Sequence, residues 1–168
     1  AIAAVEAVKA TAIPQLDPDR VAILGRSMGG GVAFNVLTTR PGLVDAAVVY
    51  ASVSTDTVDN YSKWIRRPGN EALVSRIEGT HGAPETNPQF WREVSPRTYV
   101  DRIVDPVMVH HGVQDDTCPI RWARATAKAL RQADVELTYH EYPGENHYFL
   151  SGWSQSMRRT LAFLSANV

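Results

Sequence analysis

Ser27, Asp115 and His147 stand in this order along the chain, each just after a stretch of apolar or alternating residues gives way to a loop. A serine hydroxyl is a weak nucleophile until a base takes its proton. Histidine does this best when a carboxylate fixes its ring in one tautomer. The chemistry open to such a trio is attack on a carbonyl carbon followed by hydrolysis of the acylated serine. Ser27 lies in Gly25-Arg26-Ser27-Met28-Gly29, a G-x-S-x-G sequence directly after the apolar run 21–24 and before Val32-Ala33-Phe34-Asn35-Val36-Leu37, which reads as a helix. A serine on a sharp strand-to-helix turn has its hydroxyl lifted clear of the sheet. Gly25 and Gly29 let the backbone turn and let neighbouring elements approach closely. The helix that follows aims its free N–H groups, that of Met28 foremost, at negative charge forming beside the serine.

Other readings of the same residues exist. A dinucleotide-binding loop, G-x-G-x-x-G, needs glycine where Ser27 stands, and a phosphate loop needs Lys-Ser or Lys-Thr where the chain has Gly31-Val32. The bland reading of 25–29 is a glycine-rich turn. A lone loop aspartate is commonly a helix cap and a lone loop histidine commonly a solvated surface residue. Asp116 is an alternative to Asp115 as the acid. Cys118 lacks the turn that would make it a nucleophile and reads as a small core residue. His110 and His111 are adjacent on an expected strand and face opposite ways, with His111 structural or lining the turn. No carboxylate stands at a triad-like spacing from His81 or His140. Neither H-E-x-x-H nor a Cys-x-x-Cys pair occurs, so no metal and no cofactor is expected.

Ile2, Val5, Val8 and Ala12 follow helical spacing with no capping residue ahead of them, as in a chain that begins inside a helix. Pro14 and Leu16-Asp17-Pro18-Asp19 mark a loop. The strand 21–24 and the serine turn follow, and the next helix ends near Arg40-Pro41-Gly42. Ala46-Ala47-Val48-Val49-Tyr50 suits a strand buried on both faces. Residues 54–102 are rich in polar residues, proline and glycine and carry Tyr61, Trp64, Phe90, Trp91 and Tyr99. They are expected to form an irregular, cap-like insertion within a single domain spanning 1–168, their aromatics serving local packing. A strand at 106–111, a helix through Ile120, Ala123, Ala127 and Leu130, a strand at 135–142 and a last helix through Trp153, Met157, Leu161 and Leu164 complete the chain. Strands alternating with helices predict an α/β fold with three layers, α/β/α, around a mostly parallel sheet.

Composition narrows the class. With 17 Lys and Arg against 18 Asp and Glu, the net charge of −1 gives no footprint for nucleic acid or an anionic membrane. No apolar run nears the roughly 20 residues of a membrane span. The single cysteine cannot form an internal disulfide, and no secretory leader is visible, so a cytoplasmic location is expected.

The strand-bounded G-x-S-x-G, the H-G-x-x-D-x-x-x-P run from His111 to Pro119 and the late Gly144-Glu145-Asn146-His147 together resemble the α/β-hydrolase fold. Asp17-Pro18-Asp19-Arg20 and Ser95-Pro96 are similar to the prolyl-oligopeptidase-like and dienelactone-hydrolase-like branches. The dienelactone-type enzymes carry cysteine where this chain has Ser27. The resemblance covers nearly the whole chain and implies Ser27 as nucleophile, His147 as general base, Asp115 as its orienter and the Met28 amide as one oxyanion donor. It also implies about eight strands and a second donor on a loop ahead of the first helix; those strands and that donor are not among these residues.

The function that follows is a serine hydrolase cleaving a small ester or acyl substrate, a carboxylesterase whose activity the missing donor would impair. The alternatives are a prolyl-oligopeptidase-type serine peptidase and a C-terminal fragment that associates without chemistry. The strand at 21–24, apolar and without proline, would present an unpaired edge, so self-association into a homodimer is expected.

Overall fold

A computed structural model describes residues 1–11 and 13–168, and the expectation for Ala12 lies outside the described residues. Four strands form one sheet in the order β1 (Ala22–Arg26), β2 (Ala46–Tyr50), β3 (Val107–Gly112), β4 (Leu137–Tyr142), every neighbouring pair parallel. The fold is therefore α/β, as the alternation of elements predicts. β2 and β3 are buried at every residue, in keeping with the unbroken apolar run of β2, while β3 buries His110 and His111 beside its apolar start Val107-Met108-Val109.

Alternation along β2 separates two cores. Ala47 and Val49 face Ala33, Phe34 and Leu37 of α2 (Met28–Thr39) and Leu130 of α6 (Ile120–Gln132), with Val5 of α1 (Ile2–Lys9) packed alongside. Ala46, Val48 and Tyr50 face Phe163 of α7 (Trp153–Asn167). The buried residues of α6 fall at Trp122, Ala123, Thr126, Ala127 and Leu130, one stripe at helical spacing. Among the described residues β1 pairs only with β2, and its Leu24 is 53% exposed.

The segment 54–102 differs from its expectation. It is largely helical, with α3 (Thr57–Asn60) running into a π-helical stretch at Tyr61–Ile65, then α4 (Glu71–His81), α5 (Pro88–Glu93) and a 3₁₀ stretch at Pro96–Arg102. Pro68-Gly69, Gly82 and Pro96 interrupt it before any helix gains a long apolar stripe, and α4 has no fully buried residue. Periodicity therefore gives little signal there. Side-chain caps do the local work: Asp56 accepts from the Val58 N–H and Asn87 from the Phe90 N–H.

Parallel strands set all their carboxyl ends on one rim, and the loops leaving that rim hold the residues singled out above. Among the described residues no helix is long and apolar enough to cross a membrane.

Candidate active site

Ser27 is the single residue between β1 and α2, with φ 55° and ψ −120°. That left-handed φ in a non-glycine residue costs on the order of 1–3 kcal/mol and persists only where the surroundings enforce it. They do so through the backbone. The Ser27 N–H donates to the Tyr50 carbonyl at 2.9 Å, and the Ser27 carbonyl accepts from Gly30 N–H at 3.0 Å and Val53 N–H at 3.2 Å. A side chain at Gly25 would run into the Gly29 carbonyl, so the turn closes only because position 25 has no Cβ. Gly29 meets no such contact, as a Cβ there would sit in open space. The tighter requirement lies one residue on, at Gly30, which packs against Ser52; the motif itself does not flag it. Met28 opens α2, so its N–H has no intrahelical acceptor, and its side chain is 75% exposed.

Asp115 sits on the loop from β3 to α6 and is 5% exposed. Its Oδ1 accepts the Cys118 N–H at 2.7 Å, and its Oδ2 accepts from His147 Nδ1 at 2.8 Å. An ionised carboxylate only accepts, so Nδ1 carries the proton and Nε2 keeps its lone pair free. The loops that carry the two residues are laced together: the Val113 N–H donates to the Tyr142 carbonyl at 3.0 Å and the Gln114 N–H to the Glu145 carbonyl at 2.9 Å. Asp116 is placed elsewhere. It is exposed, and its carbonyl accepts from Lys63 Nζ at 3.0 Å. Asp115 and His147 are thus brought together, Asp116 and His147 are not, and no hydrogen bond joins Ser27 to His147 among the described residues. Such bonds are commonly loose without substrate.

Two neighbours complete the polar surroundings. His111 is fully buried and donates from Nε2 to the Cys118 carbonyl at 2.7 Å, which leaves its Nδ1 without a partner; burial pushes its pKa down, so it stays neutral. Burial pushes the Cys118 thiol up to about 11, the Asp115 charge adds to this, and the nearby Ser27 side chain and Lys63 charge oppose it. A thiol so placed stays protonated at neutral pH and is no competing nucleophile.

A cavity of about 610 Å³ opens beside Ser27 and Met28, walled by Val53, Tyr61, Trp64, Ile65, Ile77 and Trp91. Except for Val53, these walls come from 54–102. Local packing alone does not account for its aromatics. Tyr61 and Trp91 do pack on each other, ring centres 4.5 Å apart, but they also wall the cavity. Their polar ends are tied back into the segment, the Tyr61 hydroxyl to Glu78 at 2.6 Å and the Trp91 N–H to the Gly82 carbonyl at 3.0 Å, so the cavity is mostly apolar. Composition marks the segment as aromatic, but only the fold shows which rings face Ser27.

Residues 1–168 match the model of the prolyl oligopeptidase family. The chain is 30% identical to Esterase LipQ of Mycobacterium tuberculosis over 146 residues, covering 79% of this chain and 34% of that protein. It is 28% identical to the uncharacterized peptidase YuxL of Bacillus subtilis over 137 residues, covering 80% of this chain and 19% of that one. Among solved structures, a puromycin-hydrolyzing peptidase of Mycobacterium tuberculosis superimposes with a TM-score of 0.77 at 27% identity, over 99% of this chain and 24% of that one. Dipeptidyl peptidase 4 of Porphyromonas gingivalis shares the fold with a TM-score of 0.78 at 22% identity, over 99% of this chain and 22% of that one. The chain thus spans only a fifth to a third of the length of these relatives. A strand-to-helix serine, a parallel sheet carrying an aspartate–histidine pair on its carboxyl rim and a family match from end to end agree, and the chain belongs to the prolyl oligopeptidase family of α/β-hydrolase-fold serine hydrolases.

Proposed function

We propose that the chain hydrolyses carboxylic esters through an acyl-enzyme on Ser27. The observation that carries this reading is the 2.8 Å hydrogen bond from His147 Nδ1 to buried Asp115, on the rim that also presents Ser27 on its strained turn. His147 Nε2 takes the Ser27 proton as Oγ attacks the carbonyl carbon. Asp115 holds the ring and stabilises the imidazolium. The Met28 N–H donates to the oxyanion. The proton then passes to the leaving alcohol, and water, activated by the same imidazole, releases the acid. The apolar cavity accepts a hydrophobic group of the substrate, and its size falls within the ordinary range of small-molecule sites, roughly 300–1,000 Å³.

One comparison favours an ester: the relative with 30% identity is named an esterase. The second reading is a peptidase, favoured by the family and by the relatives named as peptidases. Initial rates on p-nitrophenyl esters of increasing chain length, set beside peptidyl p-nitroanilides with Ser27→Ala as control, decide between the two. Ester turnover well above the control, rising with apolar acyl length, is expected. Faster anilide than ester turnover would favour the peptidase reading, and no turnover above the control would end both.

Among the described residues β1 pairs on one side only and its Leu24 is exposed, which supports self-association of the 168-residue chain, and we also propose this. Sedimentation at micromolar concentration should show a dimer, and a stable monomer would remove this proposal.

A further inference from the structure

We propose that Arg26 is a positioning residue for His147, an inference that rests on the reading of His147 as the base. Arg26 is the last residue of β1 and the immediate neighbour of Ser27. Its Nη2 donates to the His147 carbonyl at 2.6 Å, across 121 residues of sequence. The guanidinium also lies 5.7 Å from the centre of the Tyr148 ring, so two consecutive residues of the histidine loop engage it.

The loop needs such a hold at that point. On one side it is anchored by Glu145, whose buried carboxylate accepts from the Gly152 N–H at 2.7 Å and from the Ser151 hydroxyl, and whose carbonyl accepts from Gln114. On the other side it is anchored by Phe149, which is buried against Tyr50 and Tyr142. Between these anchors lies an Asx turn, with the Asn146 side chain accepting from the Tyr148 N–H at 2.9 Å. That turn orders the chain locally but ties it to no other element. Among the described residues, the bond from Arg26 is what ties the His147 peptide itself to the strand bearing the nucleophile. Asp115 sets the orientation of the imidazole at Nδ1, and Arg26 sets its distance from the serine turn by fixing the backbone beneath it. A charged donor to a carbonyl is stronger than a neutral one, and the planar guanidinium presents several such donors from one side chain. A displacement of about 1 Å between reacting groups can cost as much as 10²-fold in rate.

The test compares Arg26→Met, which keeps the stem and loses the donors, with Arg26→Lys, which keeps one charged donor, using His147→Ala as reference. The readouts are kcat and KM for p-nitrophenyl acetate and the low-field proton resonance of the His147 Nδ1–H bonded to Asp115. The expected result for Arg26→Met is a fall in kcat of roughly 10- to 100-fold with KM little changed, and a broadened Nδ1 proton signal. Arg26→Lys should recover much of both. An Arg26→Met variant with wild-type kcat and an unchanged resonance, alongside an inactive His147→Ala, overturns the positioning role and leaves the base in place. Equal losses in Met and Lys variants, accompanied by a lowered melting temperature and an unchanged resonance, overturn it as well. Wild-type turnover in His147→Ala removes the base reading and this proposal with it.

Discussion

Two histidines of this chain are each held by hydrogen bonds from other elements, and the surroundings make them opposites. His147 lies on the carboxyl rim, with a buried carboxylate on Nδ1 and a free Nε2. His110 lies within β3, fully buried between the sheet and α7. The Tyr142 hydroxyl is 2.8 Å from its Nδ1 and the Thr160 hydroxyl 3.1 Å from its Nε2, while Tyr50 stacks on the ring with centres 4.4 Å apart. Burial pushes the pKa of His110 down to about 3, with the charges of His140 and Arg159 adding to this. Hydroxyls satisfy a neutral imidazole but give an imidazolium no counter-charge, whereas a carboxylate does. The same side chain is therefore a fixed spacer in one region and, on the function proposed above, a proton carrier in the other. Partner chemistry separates them, since both are well bonded.

The largest break in that contrast should come at the rim. Ser27→Ala should take ester turnover to background, a fall of up to about 10⁶ by analogy with other serine hydrolases, with an unchanged thermal melt. Turnover well above background would remove the nucleophile. Asp115→Asn should cost about 10⁴ in kcat by favouring the wrong tautomer, while Asp116→Asn should stay near wild type. The reverse ranking would move the acid by one residue.

In the buried network the effects should fall on stability instead. His110→Phe leaves the buried Tyr142 hydroxyl without its ring partner, costing roughly 1–3 kcal/mol, while the Thr160 hydroxyl keeps the Tyr50 hydroxyl at 2.7 Å; little change in kcat at 25 °C is expected. Denaturant midpoints would show the loss, and a large fall in kcat without one would give His110 a part in the chemistry. The pH dependence of stability sharpens this further. In the unfolded chain His110 titrates near ~6.5, and in the folded protein near about 3, so between these values the unfolded state binds the extra proton. The stability contributed by a neutral His110 is complete above ~6.5 and is lost as pH falls towards 3. Burial lowers His111 and His140 in the same sense. Midpoints should drop from pH 7 to pH 4, and less steeply in His110→Phe. An identical slope in the variant would assign the acid sensitivity elsewhere.

The smallest effect is expected at Cys118. With its thiol near about 11 and no exposure, iodoacetamide at pH 8 should label it only after denaturation, leaving turnover of the native protein intact. Rapid native labelling with loss of activity would mean the rim opens to solvent.

What could be read from the residues follows how far each signal travels. The alternation of strands and helices is local, because a run such as 46–50 declares its burial through its own composition, and a parallel sheet follows from the order of such runs. The serine turn is equally local, since Gly25, Ser27 and the helix after it are contiguous. Asp115 and His147 were legible as residues on two loops at the same rim, because parallel strands put all those loops together. Residues 54–102 were not legible, since glycines and prolines cut their helices too short for a stripe to form.

Long-range contacts left no trace in spacing. Whether Asp115 or Asp116 meets His147 depends on one loop's path and its bonds to Glu145, and nothing in two adjacent aspartates distinguishes them. That Tyr61, Trp64 and Trp91 face Ser27 depends on how several short helices fold back over the rim. Arg26 reads as the variable residue of a motif until the chain has closed over 121 positions and set a carbonyl against its guanidinium. The sequence by itself determined the layers, the order of the elements and the candidate groups for the chemistry, because backbone propensity and burial act over a few residues. The tertiary structure decided which aspartate meets His147, which rings line the cavity beside Ser27 and which guanidinium meets the His147 carbonyl, because those are settled by distances between segments that share no local pattern.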